Sequence, residues 1–147
     1  MSIAQEWLGE AGSVIAAASG VPISLRDYGA VTFVTYEDDG STILTLTQHT
    51  ESAGAVDTES DLAVITRVYK GPGVGGTWTL VTQTAANTYD LADDTTNDTV
   101  VLTVRADELS DSNVFIECTV DGGICMAILH DPVHRLDAAT IISPLSY

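Results

Sequence analysis

Positive charge is almost missing from this chain. Against 21 Asp and Glu stand 5 Lys and Arg, Lys70 is the only lysine, and the formal net charge is −16. Such a field repels polyanions, so DNA, RNA and anionic membrane surfaces are excluded as direct partners unless divalent cations bridge the charges. Acid-rich, lysine-poor composition also suits a salty habitat, which says nothing about function. Long apolar runs are missing too. No stretch approaches the roughly 20 residues of a membrane-spanning helix, and Gln5, Glu6 and Glu10 break up the N-terminus where a secretory signal would be basic and then continuously apolar. Two cysteines cannot build a disulfide framework. The expectation is cytosolic synthesis with reduced thiols.

What is present is β-patterning. The 147 residues are 45% hydrophobic, with a mean hydropathy of +0.20. That is too apolar for a disordered chain and long enough for one domain with its own core. Runs of Val, Ile, Leu and Thr alternate between Asp-Gly, Gly-Gly and Asn/Asp turns. Three parts are read from this pattern: an N-terminal arm over 1–20, a β-domain over 21–130 and a tail over 131–147. In the arm, Ile3, Trp7 and Leu8 can share one helical face, whereas Ser13 to Ala18 reads equally as helix or edge strand. Pro22 to Leu25 reads as an edge strand, because proline cannot donate to a central ladder.

Ala30 to Tyr36 and Thr42 to His49 are expected to form a hairpin about Glu37-Asp38-Asp39-Gly40-Ser41. Val31, Phe33, Leu44 and Leu46 then share one face; Thr32, Thr45 and Thr47 take the other with Val34, Tyr36 and Ile43. Glu51 to Asp61 reads as a loop. Leu62 to Lys70, Thr77 to Gln83 and Val100 to Arg105 read as strands, with a short extended piece at Tyr89 and Leu91. Ala106 to Leu109 reads as one helical turn, and Val114 to Val120 with Ile124 to His130 as a final hairpin about Asp121-Gly122-Gly123. About seven to eight strands joined by short turns predict an all-β fold, an antiparallel β-sandwich or jelly-roll-like barrel with a short N-terminal arm and an extended C-terminal tail.

Candidate chemistry is thin. Three acidic clusters are the places a calcium ion would sit: Glu37 to Asp39; Asp93, Asp94, Asn97 and Asp98; and Asp107, Glu108, Asp111 and Asn113. None has the alternating spacing of an EF-hand loop, and Asp and Asn are the ordinary residues of turns. The second cluster is the best of them, because a curled loop points four side chains at one centre. His130 and His134 are four apart, but Pro132 breaks the helix that would align them. Cys118 and Cys125 flank the last turn and read as packed thiols, with a cross-strand disulfide as the alternative. No Gly-x-Ser-x-Gly elbow is present, and Gly71 to Gly76 lacks the Gly-Lys-Ser/Thr ending of a phosphate loop. No catalytic residue and no cofactor is assigned. Trp78 alternates with Leu80 and reads as core or as an interface anchor. The apolar residues of arm and tail are expected to dock, either on this chain's sandwich or on a neighbour.

With those strands in place, Ile23-Ser24-Leu25-Arg26-Asp27-Tyr28-Gly29-Ala30-Val31-Thr32-Phe33-Val34 carries a resemblance. So do Thr42 to Gln48, Asn87-Thr88-Tyr89, Val101 to Leu109 and the Leu129 to Pro132 ending. Over residues 21 to 135 the chain resembles small head proteins of tailed bacteriophages, encoded near the major capsid protein, which are virion components and commonly capsid decoration or cement proteins. The resemblance implies a non-enzymatic protein on the capsid outer surface, made in the host cytoplasm, bound to the major capsid protein as a homo-oligomer (trimer or dimer). Interface candidates are Trp7, Leu8, Val34, Tyr36, Ile43, Ile141, Ile142 and Tyr147. The rival readings are a head–tail connector or tail component, and a calcium- or carbohydrate-binding β-module.

Overall fold

The computed structural model describes residues 13–17, 21–36, 43–52, 59–72, 76–91 and 98–133. Eleven strands lie among them: β1 Ser13–Ala16, β2 Ile23–Ser24, β3 Tyr28–Tyr36, β4 Ile43–His49, β5 Ser60–Asp61, β6 Ile65–Pro72, β7 Thr79–Ala86, β8 Thr88–Asp90, β9 Asp98–Arg105, β10 Phe115–Val120 and β11 Ile124–Pro132. They build two antiparallel sheets. One has six strands in the order β1-β11-β3-β9-β6-β7; the other has five, with β2-β10-β4-β5 in order and β8 also paired to β4. Among the described residues both sheets are open, so the fold is a β-sandwich and not a closed barrel. The expected edge strand at Pro22 is β2, at the margin of the five-stranded sheet. The expected helical turn is a 3-10 turn over Ala106–Glu108.

The core sits between the sheets. Val31, Phe33, Leu44, Leu46, Val100, Val104, Ile116 and Leu129 are among its fully buried side chains. Alternation explains the membership. Odd positions of β3 (Val31, Phe33, Thr35) point in, as do even positions of β4 (Leu44, Leu46). Each fully buried Phe or Leu contributes about 1.5–3 kcal/mol of transfer free energy.

Two expected hairpins are not hairpins. β3 belongs to the six-stranded sheet and β4 to the five-stranded one; β10 and β11 are divided in the same way. β3 pairs with β11 and β9 instead, in registers such as Val31↔Leu129 and Val31↔Val104. The chain therefore passes from one sheet to the other between β3 and β4 and between β10 and β11, and the second passage is an arch. At Asp121-Gly122-Gly123 the reversal uses positive φ at both glycines, 102° and 90°, a region nearly closed to side chains with a Cβ. The physical reason for the error is plain: an arch and a hairpin both return an apolar strand to the same core.

The arch also redefines the cysteine pair. Cys118 and Cys125 face each other from opposite sheets, both buried and unbonded, with the Cys125 thiol donating to Cys118 Sγ at 3.7 Å. That hydrogen bond, and then burial, push the Cys118 thiol far above its ordinary range. They pack as the small hydrophobes of the sequence reading.

Candidate binding surface

The six-stranded sheet turns one face to the core and the other outward, and the outward face carries an apolar stripe. Reading the registers across the sheet gives a single row: Ala16 opposite Met126, Met126 opposite Val34, Val34 opposite Val101, Val101 opposite Tyr69, and Tyr69 opposite Leu80. Cross-strand neighbours on one face lie about 4.5–5.5 Å apart, so six side chains from six strands make one continuous stripe. Met126, Tyr69 and Leu80 are 42%, 50% and 50% exposed. Beside the stripe runs a second register, Ile124 to Tyr36 to Thr99 to Gly71.

Trp78 closes that second register. A Cβ added at Gly71 would stand 2.9 Å from two carbons of the indole, so the ring lies directly on the Gly71 backbone. Glycine is what lets it lie there. The ring nevertheless remains 55% exposed, which settles the two sequence readings of Trp78 against the core. Toward the chain-terminal end the face becomes polar: Thr32 and Thr103 hydroxyls meet at 2.8 Å, and His130 Nε2 lies 2.9 Å from Thr32 Oγ1.

The predicted interface residues separate. Val34 and Tyr36 lie on this outward face, half-buried among their neighbours. Ile43 is exposed but belongs to β4 in the opposite sheet, so it shares no surface with them; the expected common face required the β3–β4 hairpin that does not form. Trp7, Leu8, Ile141, Ile142 and Tyr147 lie outside the described residues, as do Asp93, Asp94 and Asn97. Asp98 opens β9 opposite Pro72. Tyr69, Leu80, Ile124 and Met126 went unselected in the sequence. Their only linear signal is an apolar residue at the outward parity of its strand, and that means little until distant strands are aligned.

The five-stranded sheet has a different outer face. Phe115, Glu117 and Thr119 stand opposite His49, Thr47 and Thr45, at the parity turned away from Leu44, Leu46 and Cys118. Yet Phe115, Glu117, His49 and Thr47 are all buried. The Arg26 guanidinium stacks over the Phe115 ring at 5.4 Å. Glu117 Oε2 lies 3.3 Å from His49 Nε2, Thr47 Oγ1 is 3.2 Å from the same nitrogen, and Thr119 donates to Glu117 Oε1 at 3.2 Å. A nucleophile–base relay needs the hydroxyl on one ring nitrogen and the carboxylate on the other. Here both meet Nε2, so the group has the geometry of a satisfied buried pair.

A groove of about 390 Å³ opens where β6 and β9 diverge beyond their paired ends. It is lined by Thr66, Arg67, Thr103, Arg105, Glu108 and Asp131 among others. At its rim Arg105 is tied to its own turn, with bonds of 3.0 and 3.4 Å to Asp107 and its backbone N–H on Glu108 at 2.7 Å. Those acidic partners hold its guanidinium above its ordinary pKa. Among the described residues no three His, Cys, Asp or Glu side chains converge as a metal site, and no helix is long and apolar enough to cross a membrane. No family model matches the chain, and no curated protein or solved structure matches it significantly.

Proposed function

We propose that this protein is a bacteriophage virion structural protein that binds the outside of the capsid and stabilises it, a decoration or cement protein acting through the outward face of its six-stranded sheet. The observation that carries the reading is the apolar stripe from Ala16 to Leu80. It is a surface that a chain of net charge −16 leaves uncharged across six strands. Contiguous exposed apolar surface marks a protein interaction site, and the partner fitting the sequence resemblance is the major capsid protein. The charge supports the side of the shell: a strongly acidic protein is repelled by packaged DNA inside and tolerated outside. Weak contacts then suffice, since repetition over the shell turns them into a clamp by multivalency.

The test is to mix purified protein with capsids that lack it, sediment the shells and count bound copies by cryo-electron microscopy. Many copies over the lattice, with a higher disruption temperature for the shell, are expected. Density at a single vertex would make it a connector, and no binding would end the reading.

A further inference from the structure

We infer that β7 is a strand-addition edge, and that its occupant is β7 of a second copy of this chain, paired antiparallel about a two-fold axis at Leu80. This goes beyond the capsid reading and does not depend on it.

The first observation is the edge itself. β7 ends the six-stranded sheet, with β6 on one side and no strand among the described residues on the other. An edge strand offers a row of backbone N–H and C=O groups to any chain that can extend it, and soluble proteins ordinarily protect such edges with charge, proline or a bulge. Thr79–Ala86 contains no charged residue and no proline. Its ladder to β6 is regular from Thr79 to Thr82 and irregular only beyond, toward the Ile65↔Ala86 pair. The half bearing Leu80 is therefore open and regular.

Charge is the second. From Leu62 to Tyr89 the chain has no Asp or Glu, although 21 are spread over the rest, and it has Arg67 and Lys70. The β6–β7 hairpin is thus a long acid-free stretch where two copies of a −16 protein can meet without opposing carboxylates. Arg67 and Lys70 lie on β6, one strand back from the edge. In the joined sheet they stand three strand spacings from their counterparts, about 14 Å, beyond the roughly 8 Å screening length at physiological salt.

The third observation selects a second copy over an unrelated strand, and it sets the register. The apolar stripe runs to the sheet margin and stops at Leu80, half exposed. In an antiparallel pair opposite residues share a face, so a two-fold axis normal to the sheet must run midway between the two copies of a single residue. Centred on Leu80, it sets Leu80 against Leu80 of the second copy and Trp78 against the second copy's Thr82. Leu80 and Trp78, 50% and 55% exposed, then each gain a cross-strand neighbour on the same face, and the two stripes become one continuous row across the joined sheets. The interface is isologous and closes after two copies.

The experiment is sedimentation of the full chain over a concentration series, with two cysteine variants under mild oxidation. Leu80→Cys is expected to give a disulfide-linked dimer, since the register places the two thiols opposite each other while Cys118 and Cys125 are buried. Thr84→Cys is the control: four positions from the axis, its two copies stand about 27 Å apart and do not link. Leu80→Asp, which keeps the fold because the residue is surface-facing, is expected to raise the dimer dissociation constant at least about tenfold by opposing like charges. A chain monomeric at every concentration overturns the inference. So does a dimer insensitive to Leu80→Asp, or a Thr84→Cys variant that links as well as Leu80→Cys.

Discussion

The two sheets of this sandwich invert each other on their outer faces. The six-stranded sheet shows Met126, Tyr69, Leu80, Ile124 and Trp78 to solvent, whereas the five-stranded sheet buries His49, Glu117 and Thr47 at positions of the same outward parity. Alternation separates inside from outside in both, but it does not say which outside is wet. Exposed apolar side chains leave hydrophobic free energy unspent in the isolated chain, about 25 cal/mol for each Å² that a partner later covers. Buried polar side chains do the opposite, demanding partners within the chain, and the His49–Glu117–Thr47–Thr119 bonds supply them. One face leaves apolar surface exposed, and the other closes its polar groups on one another.

Substitutions that act on stability should therefore concentrate in the five-stranded sheet. The largest effect is expected at Phe115, an outward position that is only 2% exposed. Phe115→Ala should cost about 3–5 kcal/mol, the range for a large side chain removed from a close-packed site, seen as a lower midpoint in denaturant titration. A cost below about 0.5 kcal/mol, the value for a surface site, would remove the contrast between the faces.

Glu117 sharpens the same contrast. Glu117→Ala leaves His49 Nε2 and the Thr119 hydroxyl without their carboxylate partner, at an expected cost of about 1–3 kcal/mol. Replacing both partners, with His49→Leu and Glu117→Leu, should recover part of that loss, because the imidazole and carboxylate go together and only the Thr47 and Thr119 hydroxyls lose a partner. A double variant no more stable than Glu117→Ala would show that the site is polar for a reason other than pairing.

The strands themselves were legible in the sequence, and the sheets were not. Alternation located β3, β4, β9 and β10 closely, Pro22 marked the edge, and Ala106-Asp107-Glu108 marked the 3-10 turn, because these depend on local chemistry. Whether Asp121-Gly122-Gly123 makes a hairpin or an arch depends on where β11 finds its partner, and that partner is β3, about ninety residues earlier. The same distance hid the apolar stripe. Ala16, Val34, Tyr69, Leu80, Val101 and Met126 come from six strands, each giving one residue that is unremarkable in its own segment. Alternation with Leu80 left Trp78 open as core or as interface anchor, and its exposure and its bed on Gly71 could not be read, since glycine in a turn-rich stretch has an ordinary explanation. The burial of Glu117 had no signal in the sequence: at that parity a glutamate on a strand reads as solvent-facing.

Tyr28 offers a smaller test, on the six-stranded side. Its hydroxyl is buried without a hydrogen-bond partner, so Tyr28→Phe should be neutral or stabilising by up to about 1 kcal/mol. Burial first, and then Asp27, raise its pKa above the ordinary 10.0. The sign follows from linkage. Above pH 10 the unfolded chain gives up this proton before the folded one does, so stability present below pH 10 falls as pH rises toward the raised folded value. Tyr28→Phe should flatten that alkaline limb and leave the stability at neutral pH unchanged or higher; an identical limb in both proteins would place the ionisation elsewhere.

The smallest effect on stability is expected where the effect on association is greatest. Met126→Ser and Tyr69→Ser change side chains 42% and 50% exposed, and each should move the unfolding free energy by no more than about 0.5 kcal/mol. In the stripe Met126 lies between Ala16 and Val34, and Tyr69 between Val101 and Leu80, and they are among its more exposed large side chains, so a partner seated there would lose buried contact area within its footprint. Capsid sedimentation should show at least about a tenfold loss of affinity for each, a difference of about 1.4 kcal/mol. Ile43→Ser, an equally exposed apolar side chain on the opposite sheet, should leave binding unchanged. If Ile43→Ser weakens capsid binding and the stripe variants do not, the functional face has been assigned to the wrong sheet.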